Sequence, residues 1–301
     1  MPLSNSRFRA AELSLLFIVV VWALNFSVVK YSLDEIDPLS FNAMRFAAAI
    51  GLMWAVVWFR RLRIVVHKGD WGRLLLLAVL GNLAYQMLFI IGIDLTQASN
   101  AAVMLGMIPV WTALLSHLFT SEKMYRLQAI GVLAAFGGVA LIMGGSEGGW
   151  NLSSETLAGD LIIVSAALVF AMYTLLARSM LHTYTPLTLA TLVMTLGGTM
   201  LIIVGIPSLI KLDFSSVGAV SYAGAAYSGL FSIGLAYLIW NLGIKSVGAV
   251  KTSTYQNLVP VLGVLFGVIF LGESLHYLQY LGTIMTVGGV MLARYTVRIA
   301  R

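Results

Sequence analysis

Cysteine is absent from the chain, which excludes disulfides and thiolate metal sites. Charge is scarce too: Asp, Glu, Lys and Arg make up 10% of the residues, against roughly 25% in soluble proteins. All 12 carboxylates fall at the ends of apolar runs or between them. Glu12, Asp94, Glu122, Asp160 and Glu273 come nearest, and none reaches the middle of a run. An acid at membrane depth is the usual carrier of proton or sodium coupling, so none is expected here. Only 4 histidines occur, and His117 is the only one inside an apolar run, where a packed structural role is expected. With no nucleophile–base pair and no carboxylate/His cluster at depth, neither a catalytic centre nor a metal site is expected. A membrane-embedded lipid enzyme is the reading least supported.

Apolar residues fill the space that charge leaves. The composition is 60% hydrophobic with mean hydropathy +0.94. The runs are near 20 residues long, enough to cross about 30 Å of hydrocarbon at 1.5 Å per residue. Helices are predicted near 11–30, 40–59, 73–93, 98–119, 126–144, 159–178, 187–209, 220–241, 248–271 and 277–297. A β-barrel is excluded because the runs do not alternate with period two. The expected class is an all-α integral membrane protein with ten transmembrane helices. The first run ends at Asn25 and Lys30 without a small-residue cleavage site, so it reads as a span and not a signal peptide.

Net charge is +6, and its placement is uneven. With the N-terminus in the cytoplasm, 15 of the 18 Lys and Arg fall on or near the cytoplasmic side, among them Arg60, Arg61, Arg63, Lys123, Arg126 and Arg298. Lys30, Arg45 and Lys211 fall outside or in outer-half positions, and the segments with Asp34, Glu35, Asp37, Glu147 and Glu155 hold no Lys or Arg. This positive-inside pattern puts both termini in the cytoplasm. Nucleic acid is excluded as a partner, because the basic residues are divided among short loops between spans. The expected partners are a lipid bilayer and a small-molecule substrate. Oligomeric state is left open, and a monomer is compatible.

The chain also repeats itself. Lys30 and Pro38 recur as Arg178 and Pro186, 148 residues on; Gly92, Pro109, Glu122, Gln128, Gly131 and Gly138 recur as Gly243, Pro260, Glu273, Gln279, Gly282 and Gly289, 151 residues on. Aligned without gaps, residues 92–142 and 243–293 share 15 identities in 51 positions. The glycine-rich linker Gly144–Gly149 divides two units, 1–148 and 149–301. Five helices per unit is an odd number, so the second unit is inverted relative to the first. Inverted repeats around a midplane site are a signature of secondary transporters. A channel would need a continuous polar path, which the aromatic content opposes.

Polar and aromatic side chains at depth nominate the lining of that site. They are Trp22 and Asn25 in span one, Tyr85 and Gln86 in span three, Met107 and Trp111 in span four, Tyr173 in span six, Tyr237 and Trp240 in span eight, and Tyr255 and Gln256 in span nine. Buried amides cost several kcal/mol unless paired, so they face the bundle interior, as interhelical glue or as cavity lining. Aromatic walls with a few hydrogen-bonding groups suit a small amphiphile. No mid-membrane Lys/Arg cluster is evident to clamp a phosphate; Lys251 alone could attract a carboxylate, and snorkelling to the interface is the role expected of it. Pro109 and Pro260, near the middle of their spans, are candidate hinges or gates because each removes a backbone donor.

Trp22-Ala23-Leu24-Asn25-Phe26 resembles the opening of the drug/metabolite transporter superfamily, with alanine where glycine is frequent. Ile108-Pro109-Val110 with Thr120-Ser121-Glu122, and Val259-Pro260-Val261 with Leu271-Gly272-Glu273, resemble its paired Pro and Gly-Glu signatures; Ser121 departs from them. The similarity spans nearly the whole chain as two EamA-type repeats. It is closest in character to the YddG-type amino-acid exporter branch. The resemblance implies a ten-helix bundle around a central cavity, no cofactor, a bacterial inner (plasma) membrane location and alternating-access export of small neutral, especially aromatic or hydrophobic, amino acids and related metabolites. Another small amphiphilic metabolite or drug is the alternative cargo.

Overall fold

The structure, a computed structural model, describes residues 5–119, 125–151, 154–247, 252 and 255–299, with side chains over residues 13–246 and 252–293 of that set. Among the described residues every regular element is helical. Eight helical stretches of 20 to 28 residues are long and apolar enough to cross a bilayer, and two shorter apolar helices, Tyr255–Leu271 and Tyr277–Ala293, complete ten.

Span one is α1 (Asn5–Leu33) and span two is α2 (Pro38–Phe59). Span three joins α3 (Trp71–Ala78) to α4 (Tyr85–Leu95) through a π-helical turn at Val79–Ala84. Span four is broken into α5 (Ala98–Leu105) and α6 (Ile108–Phe119), and span five is α7 (Arg126–Gly145). The second unit repeats this plan with α8 (Glu155–Met180) and α9 (Pro186–Lys211). In span eight, α10 (Ala219–Tyr227) and α11 (Ala236–Val247) flank a second π turn at Ser228–Leu235. A 3-10 turn at Tyr255–Asn257 leads into α12 (Leu258–Leu271), and α13 (Tyr277–Ile299) closes the chain.

The repeat is visible in the caps. Asp37 Oδ1 accepts from the Leu39 and Ser40 amides at 3.1 Å, and Thr185 Oγ1 accepts from the Thr188 amide at 3.1 Å. Each cap precedes a proline at the first helical position, where the missing N–H costs no hydrogen bond. Several helices outrun their apolar stretches, α8 beginning at Glu155 and α11 ending at Val247. Backbone hydrogen bonding continues until a cap ends it, and Ser154 supplies that cap for α8.

Packing shows how the two units are related. Helices α7 and α13 cross most closely, through glycine. A Cβ on Gly131 would lie 2.6 Å from the Gly289 carbonyl oxygen, and one on Gly282 would lie 2.5 Å from that of Gly138. Each contact is the other's repeat equivalent, as a two-fold axis requires. Small residues permit this approach, since packing drives helix association in lipid. The molecule is a ten-helix membrane bundle of two inverted five-helix repeats around a central cavity.

Pro109 and Pro260, the candidate hinges or gates near the middle of their spans, stand at helix starts. Pro109 is the second residue of α6 and Pro260 the third of α12. Both occupy the first turn of a helix that restarts after a break, where an absent amide is tolerated. The two breaks meet: a Cβ on Gly106 would lie 2.4 Å from Pro260 Cγ.

Candidate functional site

The two helix breaks and the second π turn line a cavity within the bundle. Trp22, Asn25 and Phe26 of α1, Arg45 of α2, and Tyr85, Gln86 and Phe89 of α4 line one side. Leu105, Gly106 and Ile108 come from the span-four break, and Phe170, Ser232, Ile233, Tyr237, Gln256 and Val259 from the second unit. Repeat-equivalent positions recur in this wall as Trp22 and Phe170, Gln86 and Tyr237, Leu105 and Gln256, and Ile108 and Val259. The cavity therefore lies on the pseudo-two-fold axis. Its volume is about 60 Å³, room for a few waters and far below the roughly 300 Å³ at which ligand sites begin.

Each π turn presents a carbonyl to an aromatic side chain at the cavity. Tyr237 Oη donates to the Gly81 oxygen at 3.0 Å, and Trp22 Nε1 donates to the Ser232 oxygen at 2.9 Å. Gly81 and Ser232 are repeat equivalents. A π turn displaces carbonyls from the regular ladder, and in a dry bundle such groups need another donor. The aromatic wall is continuous: Phe170 lies 4.7 Å from Tyr85 and 6.1 Å from Tyr237 between ring centroids.

Of the residues nominated from sequence, Trp22, Asn25, Tyr85, Gln86, Tyr237 and Gln256 line the cavity. Trp240 and Tyr173 stand one layer behind, Trp240 5.4 Å from the Trp22 ring and Tyr173 5.4 Å from that of Phe170. Trp111 points elsewhere, edge-on to Phe136 at 5.0 Å. Met107 is buried at the span-four break, and Tyr255 is half-buried in the 3-10 turn; neither lines the cavity. Pro109 and Pro260 flank the wall without forming it, one residue beyond Ile108 and Val259. Lys251 and Glu122 lie outside the described residues.

Arg45 was missed. Its place in the chain suggests an outer-half cation, yet it is 1% exposed and lines the cavity. It donates from Nη1 to Ser228 Oγ at 3.2 Å and from Nη2 to Gln86 Oε1. The guanidinium carbon lies 5.8, 6.0 and 5.3 Å from the ring centroids of Phe41, Phe46 and Phe89. The useful signal was that a lone cation inside a membrane helix faces the bundle interior by default.

A second polar cluster closes the end of the bundle that carries the linker. Glu273 accepts from the amides of Ala98 at 2.7 Å and Ser99 at 3.1 Å, and from Ser99 Oγ. A carboxylate from one repeat thus caps a helix of the other, satisfying free amides and the positive end of its dipole. Gly272, with φ 66°, makes the turn that brings it there. Gln279 Nε2 donates to Gln97 Oε1 and Asn100 Oδ1, both at 2.9 Å, and Asn100 Nδ2 donates to Ser146 Oγ at 2.7 Å. Thr96 Oγ1 donates to Asp160 Oδ1 at 2.5 Å and Ser146 Oγ to Oδ2 at 3.3 Å. Among the described residues no group of His, Cys, Asp and Glu is placed to hold a metal ion.

The model of the EamA-like transporter family matches twice, over residues 9–144 and 157–295. The chain belongs to that family. It is a multi-pass membrane transporter and not an enzyme. Uncharacterized transporter YyaM of Bacillus subtilis is 30% identical over 279 residues, covering 92% of this chain and 90% of that protein. An uncharacterized transporter of Archaeoglobus fulgidus is 30% identical over 287 residues, 93% of this chain and 96% of its own. A probable terminal-alkyne amino-acid exporter of Streptantibioticus cattleyicolor is 25% identical over 289 residues, 95% of this chain and 94% of its own. One crystal structure shares the fold at TM-score 0.70 and 18% identity, covering 97% of this chain and 99% of that one.

Proposed function

We propose that this transporter exports small neutral amino acids, aromatic and hydrophobic ones above all, together with related metabolites. It works by alternating access of the units 1–148 and 149–301 across the bacterial inner membrane, with both termini in the cytoplasm. The observation that carries this reading is the cavity on the pseudo-two-fold axis, walled by Trp22, Tyr85, Phe170 and Tyr237 with the amides of Asn25, Gln86 and Gln256 among them. Large apolar contact with a few orienting hydrogen bonds matches an amino acid with an apolar side chain. The S. cattleyicolor relative, named for amino-acid export, supports the same class.

Among the described residues no carboxylate lines the cavity, so flux is expected to proceed without an imposed proton or sodium gradient. Counterflow of labelled phenylalanine in proteoliposomes tests both points. Trans-stimulation by unlabelled phenylalanine without a gradient is the expected result. Uptake that needs a gradient would indicate a coupling group elsewhere. Uptake without trans-stimulation would indicate a channel. If a non-amino-acid amphiphile gives counterflow and phenylalanine does not, the alternative cargo is correct.

A further inference from the structure

Arg45 is a formal positive charge inside the membrane bundle, and its surroundings do not neutralise it. Among the described residues no carboxylate forms an ion pair with it, and no carboxylate lines the cavity. Its neighbours are an amide oxygen, a hydroxyl and three phenyl faces. Neutral dipoles and ring quadrupoles recover only part of the hydration that a buried ion gives up. Two of its five N–H donors are engaged, and Nε–H has no partner among the described residues. Gln86 and Ser228 hold the fork from two sides, one from α4 and one from the π turn of the other unit. The guanidinium is thus oriented at the cavity wall with donors to spare.

Among the described residues the second unit places no cation at the cavity. The residue 148 positions on from Arg45 is Val193, whose carbonyl accepts from Asn82 Nδ2 at 2.8 Å. Among the described residues the cavity wall is therefore lopsided, with one cation on one side of an axis that relates the other wall positions to neutral mates.

We infer that Arg45 is the anion-binding group of the cavity and that the cargo carries a carboxylate, taken up by the unengaged edge of the guanidinium. This rests on the reading of the cavity as the substrate site. Carboxylate and guanidinium pair through parallel N–H···O bonds, and the ligand supplies the charge that the protein leaves out. The aromatic wall then holds the side chain. Among the described residues no acid lines the cavity to meet an ammonium group, so the α-amino group contributes less than the carboxylate. Cargo without an amino group, an aromatic monocarboxylate, fits the site as well as an amino acid does.

The test uses four probes of one shape on the purified full chain: phenylalanine, 3-phenylpropionate, phenylalaninamide and phenethylamine. Binding is read as the rise in melting temperature across a titration, and transport as competition against counterflow. In the wild type both carboxylates should bind, with the amide and the amine weaker by at least about tenfold, the scale of hydrogen bonds to a charged group. Arg45→Gln should erase the preference for acid over amide, and Arg45→Lys should keep part of it. The inference is overturned if the amide equals the acid in the wild type, or if Arg45→Gln keeps the preference. If neither variant folds, the acid-to-amide ratio of the wild type decides alone. Binding of 3-phenylpropionate without phenylalanine leaves the anion site standing and removes the amino-acid reading. Equal binding of phenylalanine and phenylalaninamide does the reverse, and no binding of any probe removes both.

Discussion

Replacing Trp22 by alanine takes away one wall of the cavity, whereas replacing Trp111 takes away a packing contact with Phe136. Trp22→Ala should therefore weaken phenylalanine binding by roughly 5- to 150-fold, the equivalent of about 1–3 kcal/mol for an aromatic anchor. Trp111→Ala should lower the melting temperature and leave affinity within about twofold, since its loss is one of packing. Titration of both variants against phenylalanine checks the pair, and an affinity loss confined to Trp111→Ala would move the site. At the surface, Glu35 accepts from the Gly218 amide at 2.8 Å, and the nearby Ser221 hydroxyl together with that amide holds its carboxyl below the usual 4.5. A depressed folded pKa stabilises above the unfolded value and is lost as pH falls through the folded one. The melting-temperature difference between wild type and Glu35→Gln should be constant near neutrality and shrink below about pH 4.5. A difference that grows on acidification would contradict this.

At the scale of elements, the glycine crossing of α7 and α13 is the most demanding contact in the fold. A Cβ on Gly138 would meet Thr286 Oγ1 at 2.4 Å and the Gly282 oxygen at 2.6 Å, while one on Gly51 would meet nothing within 4 Å. Gly138→Ala should cost about 1–3 kcal/mol through overpacking, and Gly51→Ala should gain about 0.5–1 kcal/mol through helix propensity. Thermal unfolding in detergent measures both, and a neutral Gly138→Ala would mean that the helices slide freely. The spans, the repeat and the paired prolines were legible in the sequence, because run length and residue identity carry them. The facing of individual side chains was less so. One helical residue turns the face by about 100°, and the extra residue of a π turn resets the phase for everything after it. Tyr85 and Gln86 follow the Val79–Ala84 turn, and nothing in that apolar stretch marks it as π-helical. Glu273 was recognisable as part of a motif, but its partners Ala98 and Ser99 lie in the other repeat, beyond the reach of local pattern. Arg45 was read by its distance from a span end, which says nothing of the direction it faces.

At the scale of the whole molecule, the inverted repeats and the distribution of basic residues set which face meets which compartment. A chain free of cysteine accepts a single reporter thiol without background. Glu147 and Arg63 are both exposed in the structure. An impermeant thiol reagent applied to intact cells should label Glu147→Cys and spare Arg63→Cys until the cells are opened. The opposite pattern would reverse the orientation, although the internal two-fold would stand.

An uncompensated guanidinium midway through the bundle also ties this carrier to the membrane potential. One elementary charge crossing the whole field is worth about 2.3 kcal/mol per 100 mV, so even a fraction of that crossing alters a reorientation rate severalfold. With 3-phenylpropionate in place the loaded cavity is neutral; with zwitterionic phenylalanine it keeps one positive charge. Exchange of the first should be indifferent to a potassium diffusion potential set with valinomycin, and exchange of the second should respond to it. In Arg45→Gln the order inverts: the phenylalanine-loaded cavity becomes the neutral one. The two cargoes would then share one protein and one path while differing in how the cell's voltage changes the rate of the loaded step.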